Sequence, residues 1–171
     1  MLENSLFKYC PHCGSRNIDS PGVNNMKCND CSYIFYQNTA AATAAILLYQ
    51  GKIIFTRRGK NPGIGMLDLP GGFVDYNETA EHAILREIEE ETGFDVKNLK
   101  YFGSMNNQYL YRNVLYHTCD LVYTGEVTSI DSFIPNDEIK ELVLCNPKDV
   151  NVNDMAFESL KKMVTKFIAS N

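Results

Sequence analysis

Leu69-Pro70-Gly71-Gly72-Phe73-Val74-Asp75-Tyr76-Asn77-Glu78, continued after seven residues by Arg86-Glu87-Ile88-Glu89-Glu90-Glu91-Thr92-Gly93-Phe94, is the stretch on which the fold turns. Asp75 to Glu78 supply acceptors and an acid ahead of Thr79 to Thr92, where Ala80, Ala83, Ile84 and Ile88 are spaced for one apolar helical face. Gly93 stops that helix, as a residue in the left-handed conformation does. Within the helix Glu87, Glu90 and Glu91 stand at i, i+3 and i+4, so their side chains gather on one side within a turn. Like charges so close repel, and a hard divalent cation is one reason to tolerate them, since magnesium takes oxygen ligands in an octahedron. For Glu89-Glu90-Glu91 alone, a solvated acidic face is the ordinary meaning. Arg86 follows Glu78 by about two helical turns, a geometry open to a contact that orients the acids. Pro70-Gly71-Gly72 before the helix lets backbone approach a metal or phosphate closely.

Upstream, Ala41 to Tyr49 is an apolar run of strand length, followed by Gln50-Gly51 and then Ile53-Ile54-Phe55, which reads as a hairpin. Three glycines and Pro62 between Gly59 and Gly65 mark a loop. Downstream, Leu99 to Ser104, Asn107 to Tyr111 and Val114 to Tyr123 are rich in aromatic and β-branched residues and read as further strands. Residues 151 to 171 read as one closing helix, with Phe157, Leu160, Val164, Phe167 and Ile168 on one stripe. The fold class is α+β: a twisted mixed sheet flanked by the 79–92 helix and the C-terminal helix.

The complete pattern resembles the Nudix hydrolase signature, G-x5-E-x7-R-E-U-x-E-E-x-G-U with U bulky and apolar. Gly72, Glu78, Arg86, Glu87, Ile88, Glu90, Glu91, Gly93 and Phe94 fill every specified position. From background residue frequencies such a match has a chance on the order of 10^-9 at any start site. Arg58, Pro62, Gly65, Leu67 and Leu69 to Gly72 are similar to the family's approach to its signature, although many relatives carry Trp where Leu67 stands. The resemblance implies a Nudix α/β/α sandwich and magnesium (or manganese) chemistry on a diphosphate. It implies that Glu87, Glu90 and Glu91 are metal ligands or orient water, with the Gly71 carbonyl a further ligand. Arg86 and Glu78 would support them. The general base of such enzymes varies, and in Asn136-Asp137-Glu138-Ile139-Lys140-Glu141 both Glu138 and Glu141 are candidates, with Glu138 preferred. Arg58, Tyr109 and Tyr111 are candidate substrate-binding residues, Arg58 for phosphate and the tyrosines for stacking on a base or sugar, although paired-strand tyrosines more often simply pack. His12, His82 and His117 form no constellation of their own.

Cys10-Pro11-His12-Cys13 and Cys28-Asn29-Asp30-Cys31 are two C-x2-C knuckles 14 residues apart, a spacing that suits a closed tetrahedral zinc site with a structural role. The expected organisation is a zinc ribbon over residues 1–37 and a Nudix domain over 38–171. A ribbon placed ahead of such a domain is similar to the NADH pyrophosphatase group. That group's Ser-Gln-Pro-Trp-Pro-Phe-Pro string is replaced here by Gly103 to Tyr111, and the chain has no Trp, which sets NADH specificity in question. Cys119 and Cys145 are expected to be buried packing residues.

The N-terminus has an early acid and no apolar run suited to a secretory signal, and no segment is long enough to span a bilayer, so the expectation is a cytoplasmic protein without a membrane partner. A formal net charge of -5 disfavours nucleic acid as a partner, because phosphate backbones are bound through accumulated Lys and Arg. The expected function is hydrolysis of a pyrophosphate bond in a small-molecule nucleoside diphosphate linked to another moiety: ADP-ribose, a nucleotide sugar, a dinucleotide or an NADH-like molecule. The rival is a nucleotide-sensing or nucleic-acid-docking module without turnover, and a homodimer is a further expectation of the resemblance.

Overall fold

A computed structural model of the protein describes residues 7–20, 24–111 and 114–170, and the Tyr111 side chain lies outside that description. The chain divides into two compact units, Met1–Thr39 and Ala40–Asn171. In the first, β1 (Ile18–Asp19), β2 (Asn25–Cys28) and β3 (Ile34–Tyr36) form a small antiparallel sheet in that order. The two cysteine-bearing turns flank it, one closed by the Gly14 N–H on Cys10 O and the other by the Cys28 N–H on Tyr33 O.

The second unit is built on a six-stranded mixed sheet. Its strands are β4 (Ala40–Tyr49), β5 (Lys52–Arg58), β6 (Leu67–Asp68), β7 (Val96–Tyr111), β8 (Val114–Val127) and β9 (Ile139–Cys145). The order is β6-β5-β4-β8-β7, with β9 paired to β5. Only β4 and β8 run parallel; the other pairs are antiparallel. The β4–β5 hairpin turns at Gln50 and Gly51, both with positive φ (50° and 77°), the two-residue geometry whose twist matches that of paired strands. Two helices cover the sheet: α1 (Ala80–Thr92) on one face and α2 (Glu158–Ala169) on the other.

That layering explains the near-continuous apolar run of β4, because a strand covered on both faces has no solvent side. Ala44 and Ile46 pack with Leu160, Met163 and Val164 of α2, while Ala45 and Leu47 pack with Ile84 and Ile88 of α1. Thr79 caps α1 by accepting the His82 N–H, and Gly93 (φ 71°) ends it with its own N–H on Glu89 O. Three features differ from the sequence expectation. Leu99–Ser104 and Asn107–Tyr111 belong to one 16-residue strand, β7, whose irregularity is absorbed by register shifts at Lys97/Lys100 and Tyr101/Gly103. The closing helix starts only at Glu158, because Asn151 caps a short 3-10 turn over Val152–Asp154 first. Cys119 is exposed, its neighbours Thr118 and Asp120 taking the buried phase of β8, and Cys145 is half-buried. Among the described residues no helix is long and apolar enough to cross a membrane.

Candidate active site

The segment after β6 forms one wall of a cleft by pairing with the first half of β4. The Thr43 N–H donates to Gly72 O, Ala45 N–H to Pro70 O, and Val74 N–H to Ala41 O. That pairing presses the chain so close to β4 that only glycine fits: a Cβ on Gly71 would strike the Thr43 carbonyl and Ala44 Cα. At Gly72 a Cβ would meet the Glu87 carboxylate at 2.5 Å, so the missing side chain is the space that the Glu87 head group occupies. Glu91, one turn on, accepts the Gly71 N–H at 2.9 Å. Both acids therefore reach from α1 over the Gly71–Gly72 backbone into a cleft of about 320 Å³.

Arg86 organises the acids. Its Nε and Nη2 fork onto both oxygens of Glu78 at 2.9 Å, its Nη1 donates to Glu87 at 2.9 Å and to Glu90 at 3.1 Å, and Nη2 also reaches Phe73 O. The guanidinium holds the Glu78 carboxyl down at about 2. Burial pushes Glu87 up, against the pull of Arg86, and pushes Glu91 up to about 8. Among the described residues no Lys or Arg pairs with Glu91. Glu90 differs: 62% exposed, it leans back on Arg86 and does not line the cleft. Glu87, Glu90 and Glu91 thus share one helical face, as the spacing requires, without converging on one point.

Glu138 stands on the rim of the cleft, paired with Lys60 at 2.7 Å, whereas Glu141 pairs with Arg57 at 2.5 Å away from it. Arg57 also donates to Gly65 O, so its guanidinium is engaged in structural contacts. Arg58 lines the cleft with its guanidinium bonded to Asp68 and Pro62 O and lying 4.9 Å from the Phe157 ring centre. Tyr109 sits between Phe73 and Phe157, with ring centres 6.0 and 5.9 Å away. The Tyr111 side chain lies outside the described residues.

A match to the NUDIX domain family covers residues 38–167, most of the chain. The chain belongs to the Nudix family. Its fold and sequence are consistent with Nudix pyrophosphohydrolase activity. The solved structure of a Nudix hydrolase from Nitrosomonas europaea superposes with a TM-score of 0.74 at 22% identity, over 96% of this chain and 92% of that one. The Nudix domain of Shewanella oneidensis NrtR, solved with ADP ribose, gives a TM-score of 0.61 at 18% identity, over 80% and 91%. In sequence, the NAD-capped RNA hydrolase NudC of Vibrio atlanticus is 34% identical over 98 residues, 57% of this chain and 36% of that protein. The chain thus spans little more than a third of the length of that curated relative. These matches correct one expectation, that the acidic net charge disfavours nucleic acid: relatives of this Nudix domain are named for acting on a capped RNA. The physical reason is that net charge is a sum over the whole chain and does not decide what a single local site can contact.

Some Nudix cleft residues escaped the sequence reading. Asp68 and Asp120 are both buried and both line the cleft, as do Asn107, Thr118 and Phe157. Burial raises the pKa of Asp68, against the opposing pull of Arg58. A signal was present for Asp120: it is an acid inside a strand-like run, in step with the apolar Val122 two residues on.

In the N-terminal unit the four thiols of Cys10, Cys13, Cys28 and Cys31 lie within 4.8 Å of one another, the one such group of potential metal ligands found among the described residues. Cys10 and Cys31 are 3.8 Å apart, Cys13 and Cys28 3.6 Å, and none is disulfide-bonded. Asp30 fastens the two knuckles together by accepting from Ser15 Oγ at 2.5 Å and Asn17 Nδ2 at 2.7 Å.

Proposed function

We propose that the protein hydrolyses a pyrophosphate linkage in a nucleotide-linked substrate with magnesium, or manganese, at the Glu87–Glu91 cleft. The observation that carries this reading is that two signature carboxylates enter one cleft over a glycine backbone, and the more buried of them, Glu91, has no cationic partner among the described residues. Such hard oxygen donors fit a divalent ion. Glu87, Glu91 and the Gly71 carbonyl would hold it, with Glu90 joining by leaving Arg86. When bound, the ion would neutralise charge on the phosphoryl oxygens and acidify a water. Arg86 and Glu78 position the acids. Glu138, on the cleft rim, takes the proton from the attacking water after releasing Lys60. Arg58 and Tyr109 face the nucleotide, and Tyr111 is assigned with them on sequence position alone.

The linked moiety is a sugar, a second nucleotide or an NAD-like group, including the end of a capped RNA, as the relatives' name suggests. The chain's organisation in this reading is an N-terminal zinc ribbon of the NADH pyrophosphatase type followed by the Nudix domain. Four thiolates about 2.3 Å from a tetrahedral zinc stand about 3.8 Å apart, the separation seen between Cys10 and Cys31. A sensing module without turnover could dispense with the acids, and none is missing.

The test is a magnesium-dependent screen of nucleoside diphosphate derivatives with product identification, run beside Glu91→Gln. Wild-type turnover reduced by about 100-fold or more in the variant, with nucleotide binding retained, supports the hydrolase. An unchanged rate in Glu91→Gln sinks it.

A further inference from the structure

We propose that Asp120 is a specificity-determining residue, its carboxylate accepting a hydrogen bond from an N–H or O–H donor on the nucleoside part of the substrate. The proposal rests on the hydrolase reading in one respect, that a nucleotide occupies this cleft.

Asp120 and Thr118 are alternate residues of β8, so both side chains leave the same face of the sheet, and both are buried while lining the cleft. Their neighbours on β4 are small: Ala42 stands beside Asp120 and Ala40 beside Thr118. On β7 Asn107 pairs with Thr118 and brings a further polar side chain to the cleft. Asp120 is 6% exposed, and its carboxylate accepts from Thr118 Oγ1 at 2.7 Å on Oδ1 and from Ser159 Oγ at 2.6 Å on Oδ2. No Lys, Arg or His pairs with it among the described residues. A charge withdrawn from water without a counter-ion is costly, and two hydroxyl donors leave each oxygen a second acceptor position. The other buried acid, Asp68, is occupied by Arg58.

Charge decides what can face Asp120. A phosphate is repelled, so the diphosphate would stay with the cation that Glu87 and Glu91 would hold. The neutral, donor-bearing end of the nucleotide turns to Asp120. Two groups have that chemistry: the amino or carboxamide group of a base, and a sugar hydroxyl.

Asp120→Asn separates recognition from structure. The amide can accept from one hydroxyl and donate to the other, so both internal hydrogen bonds survive while an acceptor toward the cleft becomes a donor. Binding to the full chain is measured by calorimetry with AMP and with nicotinamide mononucleotide, since one or other is released from ADP-ribose or an NAD-like substrate. N6,N6-dimethyl-AMP and 2′,3′-dideoxy-AMP remove the base and sugar donors in turn, and the N,N-dimethylamide and dideoxy forms of the second probe do the same. We expect Asp120→Asn to melt near the wild type and to weaken binding of an intact probe by about 10- to 100-fold, with KM raised and kcat little changed. The analogue lacking the recognised donor binds the wild type equally weakly and the variant no more weakly, which names the source. Unchanged affinity in Asp120→Asn overturns the proposal, and so does a loss spread equally over every analogue. Should the variant not fold, wild-type affinities alone decide: no penalty for any blocked donor defeats the proposal. Absence of magnesium-dependent hydrolysis by a wild type that still shows this binding pattern would defeat the hydrolase reading instead.

Discussion

Arg86 and Glu78 show how one pair of side chains sets the acid behaviour of the helix. A bidentate guanidinium–carboxylate contact is among the stronger charged hydrogen bonds, and it fixes orientation as well as charge. Glu78 is held at about 2 against an ordinary 4.5, so as pH falls the unfolded chain takes up its proton before the native one does. The stabilisation is complete above pH 4.5 and drains as pH falls toward 2. Glu78→Gln lacks it. Its urea midpoint is therefore expected to lie below the wild type's at neutral pH, the two converging as pH falls from 4.5 toward 2; parallel curves would rule the linkage out. Gly72 carries a second prediction at this scale. Adding a Cβ in Gly72→Ala must displace the Glu87 carboxylate, so the magnesium concentration for half-maximal activity should rise about 10-fold or more. The thermal midpoint should move far less, since the strained atom is the end of a side chain on the cleft.

At the scale of the element, α1 is a helix that its own ends define. Thr79→Ala removes the hydroxyl that accepts the His82 N–H and should cost about 1 kcal/mol in a denaturant titration. Ile88→Ala, at a position with no exposure between β4 and α1, should cost about 2–5 kcal/mol. A cap loss as large as the cavity loss would mean that the helix depends on its end more than on its buried face. Ile88 was legible in the sequence because apolar spacing and the terminal glycine act within a short run of chain; the cap fell one residue beyond the expected acceptors, on Thr79 rather than within Asp75 to Glu78. The Glu78–Arg86 contact was legible for the same reason. The length of β7 was not: its shifts are set by pairing with β8, and a bulge leaves no local pattern where Asn98 takes a positive φ of 54°. The start of α2 was likewise decided by Asn151 and Asp154 closing a short turn ahead of Phe157, where the apolar stripe begins. Nor did spacing reveal that Glu90 turns away, since i, i+3 and i+4 fix a face and Arg86 chooses among the acids on it.

Over the whole molecule, net charge proved the least informative quantity, because -5 is a sum over two units and says nothing of how charge is placed within the Glu87–Glu91 cleft. The division into units supports a prediction about the cysteines. If zinc holds the four thiols, the free energy of metal binding is folding free energy for the small sheet of β1, β2 and β3, which has little apolar core beyond Met26 and Cys28. The Ala40–Asn171 unit has two apolar layers of its own. A thiol-competent chelator should therefore release one zinc per chain and abolish amide-exchange protection across Asn25–Cys28 and Ile34–Tyr36. Protection in β4, β5 and α1 should persist, with magnesium-dependent turnover still measurable after the chelator is removed. Cys28→Ser should reproduce the first effect without chelator. Collapse of protection in both units together would show one cooperative fold. Loss of turnover with β4 and α1 still protected would give the cysteine cluster a part in the chemistry that a closed four-thiolate site, with no open coordination position, does not allow.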